Sequence, residues 1–196
     1  MRAYYESIGV YRSAAMNKAD PGEALQYVEP ILREKFPYID KFIGGNFYRH
    51  NSPYHPHVDH QLQWPLAVNF VIPIYSEGTP VHFVVFDQRW HNAPITWSMI
   101  HSVDSFARSK FSMNFAAPGA PGDYDIEGHT SKDIDVEFWK DYLPHPHDIY
   151  YGLSGEAFPF APGSVIVFET KRIHCTGKIQ LNKYKLGLTL RYSVKQ

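Results

Sequence analysis

Three residues with metal-binding side chains stand in an order that suits an open metal site. His57 and Asp59 are separated by one residue, and His174 follows 115 positions after Asp59. Two imidazoles and one carboxylate are the ligand set of the facial triad, which holds Fe(II) by three adjacent corners and leaves the other corners free. We therefore interpret His57, Asp59 and His174 as a candidate site for a reactive metal ion, Fe(II) in the first place.

The spacing of these residues has a structural reason. Side chains alternate between the two faces of a β-strand, so His57 and Asp59 point the same way, about 6–7 Å apart along the chain. The third ligand then has to come from a neighbouring strand, and His174 follows a β-forming segment at residues 163–168. His55 shares the strand face of His57 and is an alternative ligand on geometry alone.

Three segments carry a resemblance to a known family. Residues 48–59, with the sequence YRHNSPYHPHVD, resemble the start of the catalytic core of Fe(II)- and 2-oxoglutarate-dependent oxygenases of the prolyl-hydroxylase-like and phytanoyl-CoA-hydroxylase-like branch. Its two tyrosines are six apart, and the second stands three before H-x-D. Residues 163–174 (GSVIVFETKRIH) and 185–193 (KLGLTLRYS) resemble the two closing strands of that core. The resemblance extends over residues 42–87 and 160–194 and favours His57 over His55.

The resemblance implies a fold and a reaction. The fold is a double-stranded β-helix, a cupin-like jelly roll of two packed antiparallel sheets, with N-terminal helices against one sheet. The reaction uses Fe(II), O2 and the cosubstrate 2-oxoglutarate, and it hydroxylates a substrate with release of succinate and CO2. That substrate is a small molecule or a protein side chain, which the sequence does not identify.

The last segment of the resemblance also suggests how the cosubstrate is bound. If residues 185–193 form a strand, one of its faces is apolar and consists of Leu186, Leu188, Leu190 and Tyr192. The other face carries basic and hydroxyl side chains and consists of Lys185, Gly187, Thr189, Arg191 and Ser193. The planar guanidinium group of an arginine can donate two parallel hydrogen bonds to one carboxylate. The resemblance implies that the far carboxylate of 2-oxoglutarate binds here, to Arg191 and Ser193 in the R-x-S arrangement of one branch. Lys185 is the competing anchor, since other branches place their basic residue about this early.

Two further residues are candidate cosubstrate contacts. Tyr48 matches the first tyrosine of the family pattern, whose hydroxyl can contact the cosubstrate. Asn69 interrupts an apolar run, and a polar group there needs a partner or a wet cavity. Either one is equally explained as a hydrogen-bonded residue of the core.

Two other classes of function suit parts of the pattern. In a cupin-type metalloenzyme that does not use 2-oxoglutarate, we would expect the motif H-x-H followed shortly by glutamate. His55 and His57 supply the histidines, but the next acidic residue is Asp59. A non-catalytic jelly-roll module that binds sugar or peptide is the other alternative, and it predicts no tight iron binding.

Composition bounds the class of protein. The chain has 196 residues, of which 44% are hydrophobic, and this suits one domain over residues 1–196. Its net charge is −1, and it has no cluster of basic residues of the kind that is typical of nucleic-acid-binding proteins. The sequence has a single cysteine, no apolar signal core and no membrane-spanning run, from which we expect a cytoplasmic protein. The oligomeric state is not indicated.

The pattern along the chain divides it into three parts. Residues 1–41 are partly helical, with Asp20 as a candidate cap and one apolar face that comprises Leu25, Val28, Leu32 and Phe36. Residues 42–87 and 160–196 carry the strands of the core. Residues 88–159 are interpreted as an insert or lid that selects the substrate. Its histidines His145 and His147 are expected on a loop and not at the metal.

Overall fold

The computed structural model describes residues 20–51, 54–59, 65–78, 80–90, 98–99, 112–113, 126–127, 142, 154–180 and 182–196. Most of the expected insert lies outside these residues, including its histidines and all of residues 116–129 except Ile126 and Glu127. So do residues 1–19 and the side chain of His55. Within the described part, no helix has the length and apolar character that a bilayer crossing requires.

The helix of the described part, α1 (Ala24–Lys35), lies against a sheet as its pattern predicts. Leu32 is buried, and Leu25, Val28 and Phe36 pack around it on the same side. The N-terminal cap differs from the prediction, because the helix begins four residues after Asp20. The Asp20 carboxylate instead accepts the Gly22 N–H over 2.8 Å, and α1 has no side-chain cap.

The strands form two antiparallel sheets. The first sheet has the order β1-β11-β3-β9, with β1 (Ile39–His50), β3 (Ala67–Ser76), β9 (Ile166–Glu169) and β11 (Lys185–Val194). The second sheet has the longer strands β2 (Tyr54–Val58), β4 (His82–Trp90), β8 (Gly155–Pro159) and β10 (Arg172–Thr176) in the order β2-β10-β4-β8. Three two-residue strands extend it, β5 (Ser98–Met99), β6 (Ser112–Met113) and β7 (Ile126–Glu127). The prediction of a mainly β protein is therefore confirmed.

The two faces of β11 are used differently. Its leucines and Tyr192 are buried in a cluster between the first sheet and α1, together with Phe47 and Phe70. Each such side chain contributes about 1.5–3 kcal/mol by leaving water. Its other face carries Lys185, Thr189 and Arg191 toward the second sheet. The alternation predicted for this strand is thus observed, and its polar side chains lie in the space between the sheets.

The second sheet includes a strand from the segment assigned to the insert and the strand that carries His174. β8 comes from the end of the segment assigned to the insert, yet it pairs with β4 from His82 to Phe86. β10 carries His174, and it pairs with both β2 and β4. The second sheet therefore brings together residues 57 and 174, which are far apart in sequence.

Candidate metal centre

His57 and His174 are direct partners on neighbouring antiparallel strands, β2 and β10. Their ring centroids are 4.2 Å apart. Asp59 follows the end of β2, where its Oδ1 lies 3.8 Å from His57 Nε2 and its Oδ2 lies 3.6 Å from His174 Nε2. Ligand atoms of the three residues all lie within 4.8 Å of one another. The structure thus brings together the three residues that the sequence analysis proposed as metal ligands.

The orientation of His174 suits a metal ligand. Its Nδ1 lies 3.0 Å from the carbonyl oxygen of Arg172, and donation to that carbonyl leaves the lone pair on Nε2. His174 is 3% exposed, and its ring stacks on Phe83 with centroids 5.6 Å apart. Phe168 packs against another side of the ring at 4.6 Å. Packing and the Nδ1 contact together direct Nε2 toward Asp59.

Asp59 is held as a carboxylate. Burial by itself raises its pKa, but the Arg191 guanidinium and the neighbouring His174 and His57 outweigh this effect. The net result is a pKa well below the usual range of an aspartic acid. Asp59 can therefore act as an anionic ligand at neutral pH without first losing a proton.

Arg191 contacts the candidate metal ligand directly. Its guanidinium donates to Asp59 Oδ2 over 2.6 Å. We predicted Arg191 as the first choice for the cosubstrate carboxylate, whereas the structure pairs it with an anion of the protein itself. Ser193, expected beside it, accepts the Lys41 N–H over 2.9 Å and so holds β1 instead of lining the cavity.

Lys185 is a buried amine. It is 0% exposed, and its Nζ has no hydrogen-bond partner among the described residues. The Nζ lies 4.3 Å from the ring centroid of Phe160, 5.3 Å from that of Phe83 and 5.8 Å from that of Tyr48. Burial lowers the pKa of Lys185 to about 7, an effect that Cys175 partly opposes. An anion at this amine would compensate a group that is otherwise costly to bury.

Tyr48 and Asn69 both lie inside the protein. Tyr48 is buried and lines the cavity next to the triad, and its hydroxyl takes the space that a side chain at Gly187 would need. Asn69 is 0% exposed, it is the register partner of Arg191, and its side-chain N and O have no hydrogen-bond partner among the described residues. Tyr48 therefore adjoins the site, while Asn69 lies behind the cavity lining.

The cavity beside the triad has more polar lining than the sequence analysis anticipated. Its walls are formed by His57, Asp59, His174, Tyr48, Arg191, Asn46, His50, Val71, Phe83, Thr176 and Thr189. Asn46 and His50 were missed, although they alternate with Tyr48 along β1. Thr176 was missed too, although it stands two after His174. The same period-2 rule that grouped His57 with Asp59 would have found all three.

Comparison of the sequence with protein-family models and with curated proteins gives no match. The assignment of a function therefore depends on the site itself.

Proposed function

We propose that this protein is an Fe(II)- and 2-oxoglutarate-dependent oxygenase that hydroxylates a small molecule or a protein side chain. The observation that carries the proposal is a His-Asp-His cluster near a buried lysine, Lys185, whose amine has no hydrogen-bond partner in the part of the chain that the structure describes. Phe83 lies between the two, with its ring stacked on His174 and the Lys185 amine 5.3 Å from its centroid. A metal triad next to a buried cation suits a cosubstrate that chelates with one end and carries a carboxylate at the other.

The fold that we propose is a double-stranded β-helix of the jelly-roll type. The order of the longer strands supports it, with β1, β3, β9 and β11 in one sheet and β2, β4, β8 and β10 in the other. Successive long strands alternate between the sheets except at β4 and β8, which pair within one sheet. Within the second sheet β2 and β10 are neighbours, and both His57 and His174 line the cavity.

The donor set of the triad suits Fe(II). Ligand atoms about 2.1 Å from a metal and at right angles to each other lie about 3 Å apart. With one ligand atom from each residue, the three atoms lie within 4.8 Å of one another, so side-chain shifts would be needed to close the triad on an ion. Asp59 can give Oδ1 to the metal while Oδ2 keeps Arg191, since a carboxylate accepts at both oxygens.

For the far carboxylate of 2-oxoglutarate we propose Lys185 as the anchor in preference to Arg191. Arg191 already has Asp59 as its anionic partner, whereas the Lys185 amine has no hydrogen-bond partner among the described residues. The amine stands next to the cavity, behind Tyr48 and Phe83. A carboxylate bound there would form a charge-assisted pair inside the protein.

The roles of the protein's own residues follow from these positions. When bound, Fe(II) with 2-oxoglutarate and O2 would supply the oxidation of a substrate C–H bond, with succinate and CO2 as coproducts. His57, Asp59 and His174 would hold the ion on one side only, and Arg191 would keep Asp59 oriented. Phe83 and Phe168 flank His174 and exclude water from its faces.

The test of this function is turnover of 2-oxoglutarate. The purified protein with Fe(II), ascorbate and O2 should form succinate from 2-oxoglutarate, slowly even without the prime substrate. A His174→Ala variant is the matched control and should form none. Metal binding without any use of 2-oxoglutarate would favour the cupin-type alternative, and absence of both would favour a binding module.

A further inference from the structure

We propose that His50, positioned by Thr176, is a second binding residue for the far carboxylate of 2-oxoglutarate, beside Lys185. This inference rests on the proposed function and deepens it, because it names a neutral hydrogen-bond donor that the sequence analysis did not single out. Its basis is the arrangement of His50 and Thr176, which line the cavity, and of Lys185, whose amine lies beside Tyr48 and Phe83 of that lining.

His50 lies directly opposite Lys185. It is the last residue of β1, and the two residues are register partners in the pairing of β1 with β11. Opposed residues of antiparallel strands put their side chains on the same face of the sheet. For this pair it is the face toward the second sheet, since His50 lines the cavity with His57 and His174. The Nε2 atom of His50 is buried.

Thr176 positions the His50 ring. Its Oγ1 lies 3.2 Å from His50 Nδ1. Thr176 stands two residues after His174 on β10, so the strand that supplies a metal ligand also supplies this hydroxyl. When the hydroxyl donates to Nδ1, the neutral ring carries its proton on Nε2, which is then a donor. The ring also packs on Tyr48, with centroids 4.9 Å apart, and this limits its rotation.

The charge balance explains why a neutral donor suits this position. Burial, and after it the charges of Lys185 and His57, lower the pKa of His50 to about 3. His50 is therefore uncharged near neutral pH and adds no second positive charge beside Lys185. A carboxylate has two oxygens, so the lysine can satisfy one of them by charge while the imidazole N–H donates to the other.

Two substitutions at one position separate the proposed role from a merely structural one. In His50→Gln the amide nitrogen reaches the place of Nε2 and can still donate to the ligand. In His50→Asn the amide reaches only the place of Nδ1 and can still contact Thr176. Affinity for 2-oxoglutarate is measured by anaerobic titration of the Fe(II)-loaded protein. We expect His50→Asn to weaken binding about tenfold and His50→Gln to stay within about threefold of the unaltered protein.

Two controls accompany this pair. His82→Asn changes a partly buried histidine on β4 that does not line the cavity, and it should bind 2-oxoglutarate normally. Fe(II) affinity, measured separately, should be unchanged in both His50 variants because His50 is not a ligand. Equal binding by His50→Asn and the unaltered protein, or equal losses in both His50 variants, would overturn the proposal.

A second readout does not depend on catalysis. The ¹⁵N chemical shifts of labelled histidine should show His50 protonated at Nε2 and should move when 2-oxoglutarate is added to the Zn(II)-loaded protein. In Thr176→Val the Nδ1 partner is gone, and the preference for this tautomer should weaken. If His50 carried its proton on Nδ1 in the complex, its role as a donor to 2-oxoglutarate would be contradicted, while the proposed function would be unaffected. Failure of the unaltered protein to bind 2-oxoglutarate would instead reject the proposed function, and this inference with it.

Discussion

Arg191 donates a hydrogen bond to Asp59 over 2.6 Å, which links the closing strand β11 to the candidate metal triad. Both side chains are largely buried, so the pair is screened from water. An arginine that neutralises a metal ligand has a different role from one that binds a cosubstrate. This contact is the reason to assign the carboxylate of 2-oxoglutarate to Lys185.

The two basic residues of β11 should therefore respond differently to substitution. We expect Lys185→Met to remove a charge-assisted pair of about 1.5–3 kcal/mol and to raise the 2-oxoglutarate Kd at least tenfold, with Fe(II) affinity retained. Arg191→Met should mainly weaken Fe(II) binding, because Asp59 loses its partner. Titrations of each variant with metal and with 2-oxoglutarate measure both effects. If Arg191→Met raised the 2-oxoglutarate Kd and Lys185→Met did not, Arg191 would be the anchor. If neither variant changed this Kd, the cosubstrate hypothesis would be rejected.

The pH dependence of cosubstrate binding should follow the titration of Lys185. Its pKa is about 7, so the charged amine that attracts the carboxylate is present below that pH. Above it, binding requires uptake of a proton, and affinity for 2-oxoglutarate should fall by up to about tenfold per pH unit. Calorimetric titration between pH 6 and 9, at full metal loading, measures this slope.

A Lys185→Arg variant is the matched control for this slope, because a guanidinium stays charged throughout the range. Its affinity for 2-oxoglutarate should change little between pH 6 and 9. An affinity that is independent of pH in the unaltered protein would contradict the role of Lys185.

The candidate metal site could be predicted from sequence only in part by short-range geometry. The alternation along β11 is observed, and the H-x-D spacing brings His57 and Asp59 together, although Asp59 follows the end of β2. His174 reaches them through the long-range pairing of β10 with β2. The partners of each side chain could not be predicted, since they depend on which strands become neighbours. That Arg191 meets Asp59, and Lys185 meets Phe160, is decided by the pairing and packing of the sheets.

The strand β8, which was not predicted, has a similar explanation. β8 has only five residues, and its sequence includes a glycine and a proline, so local pattern gave no strong strand signal. Its pairing with β4 is a long-range contact. The helix cap was placed too early because Asp20 and Pro21 suit a helix start, yet the Asp20 carboxylate binds the Gly22 N–H instead.

Adjacent glycines of β1 offer a test of the strand register. A Cβ at Gly45 would lie 2.5 Å from the carbonyl oxygen of Thr189 and 2.7 Å from the Leu190 side chain. A Cβ at Gly44 would meet nothing within 4 Å. We expect Gly45→Ala to lower the free energy of unfolding by about 1–3 kcal/mol. Gly44→Ala should leave it unchanged or raise it by up to about 1 kcal/mol. Urea unfolding curves measure both, and similar stabilities for the two variants would argue against the pairing of β1 with β11.

The hypothesis that residues 88–159 select the substrate remains a prediction from sequence. The segment is rich in aromatic residues and is interrupted by prolines and glycines, as substrate-closing loops often are. Deleting residues 116–129 should spare Fe(II) binding and uncoupled 2-oxoglutarate decarboxylation, and it should abolish coupled substrate oxidation once a substrate is found. Unchanged coupled oxidation after the deletion would place substrate selection elsewhere.

The central claim is that His57, Asp59 and His174 hold Fe(II) with open positions that 2-oxoglutarate can chelate. Anaerobic addition of Fe(II) and 2-oxoglutarate to the protein, followed by visible spectroscopy, tests this claim most directly. We predict a metal-to-ligand charge-transfer band that saturates at one equivalent of each. The band should be absent in His57→Ala, Asp59→Ala and His174→Ala variants that retain the far-ultraviolet circular dichroism of the unaltered protein. No band in the unaltered protein, or a band of full strength in His174→Ala, would contradict the account.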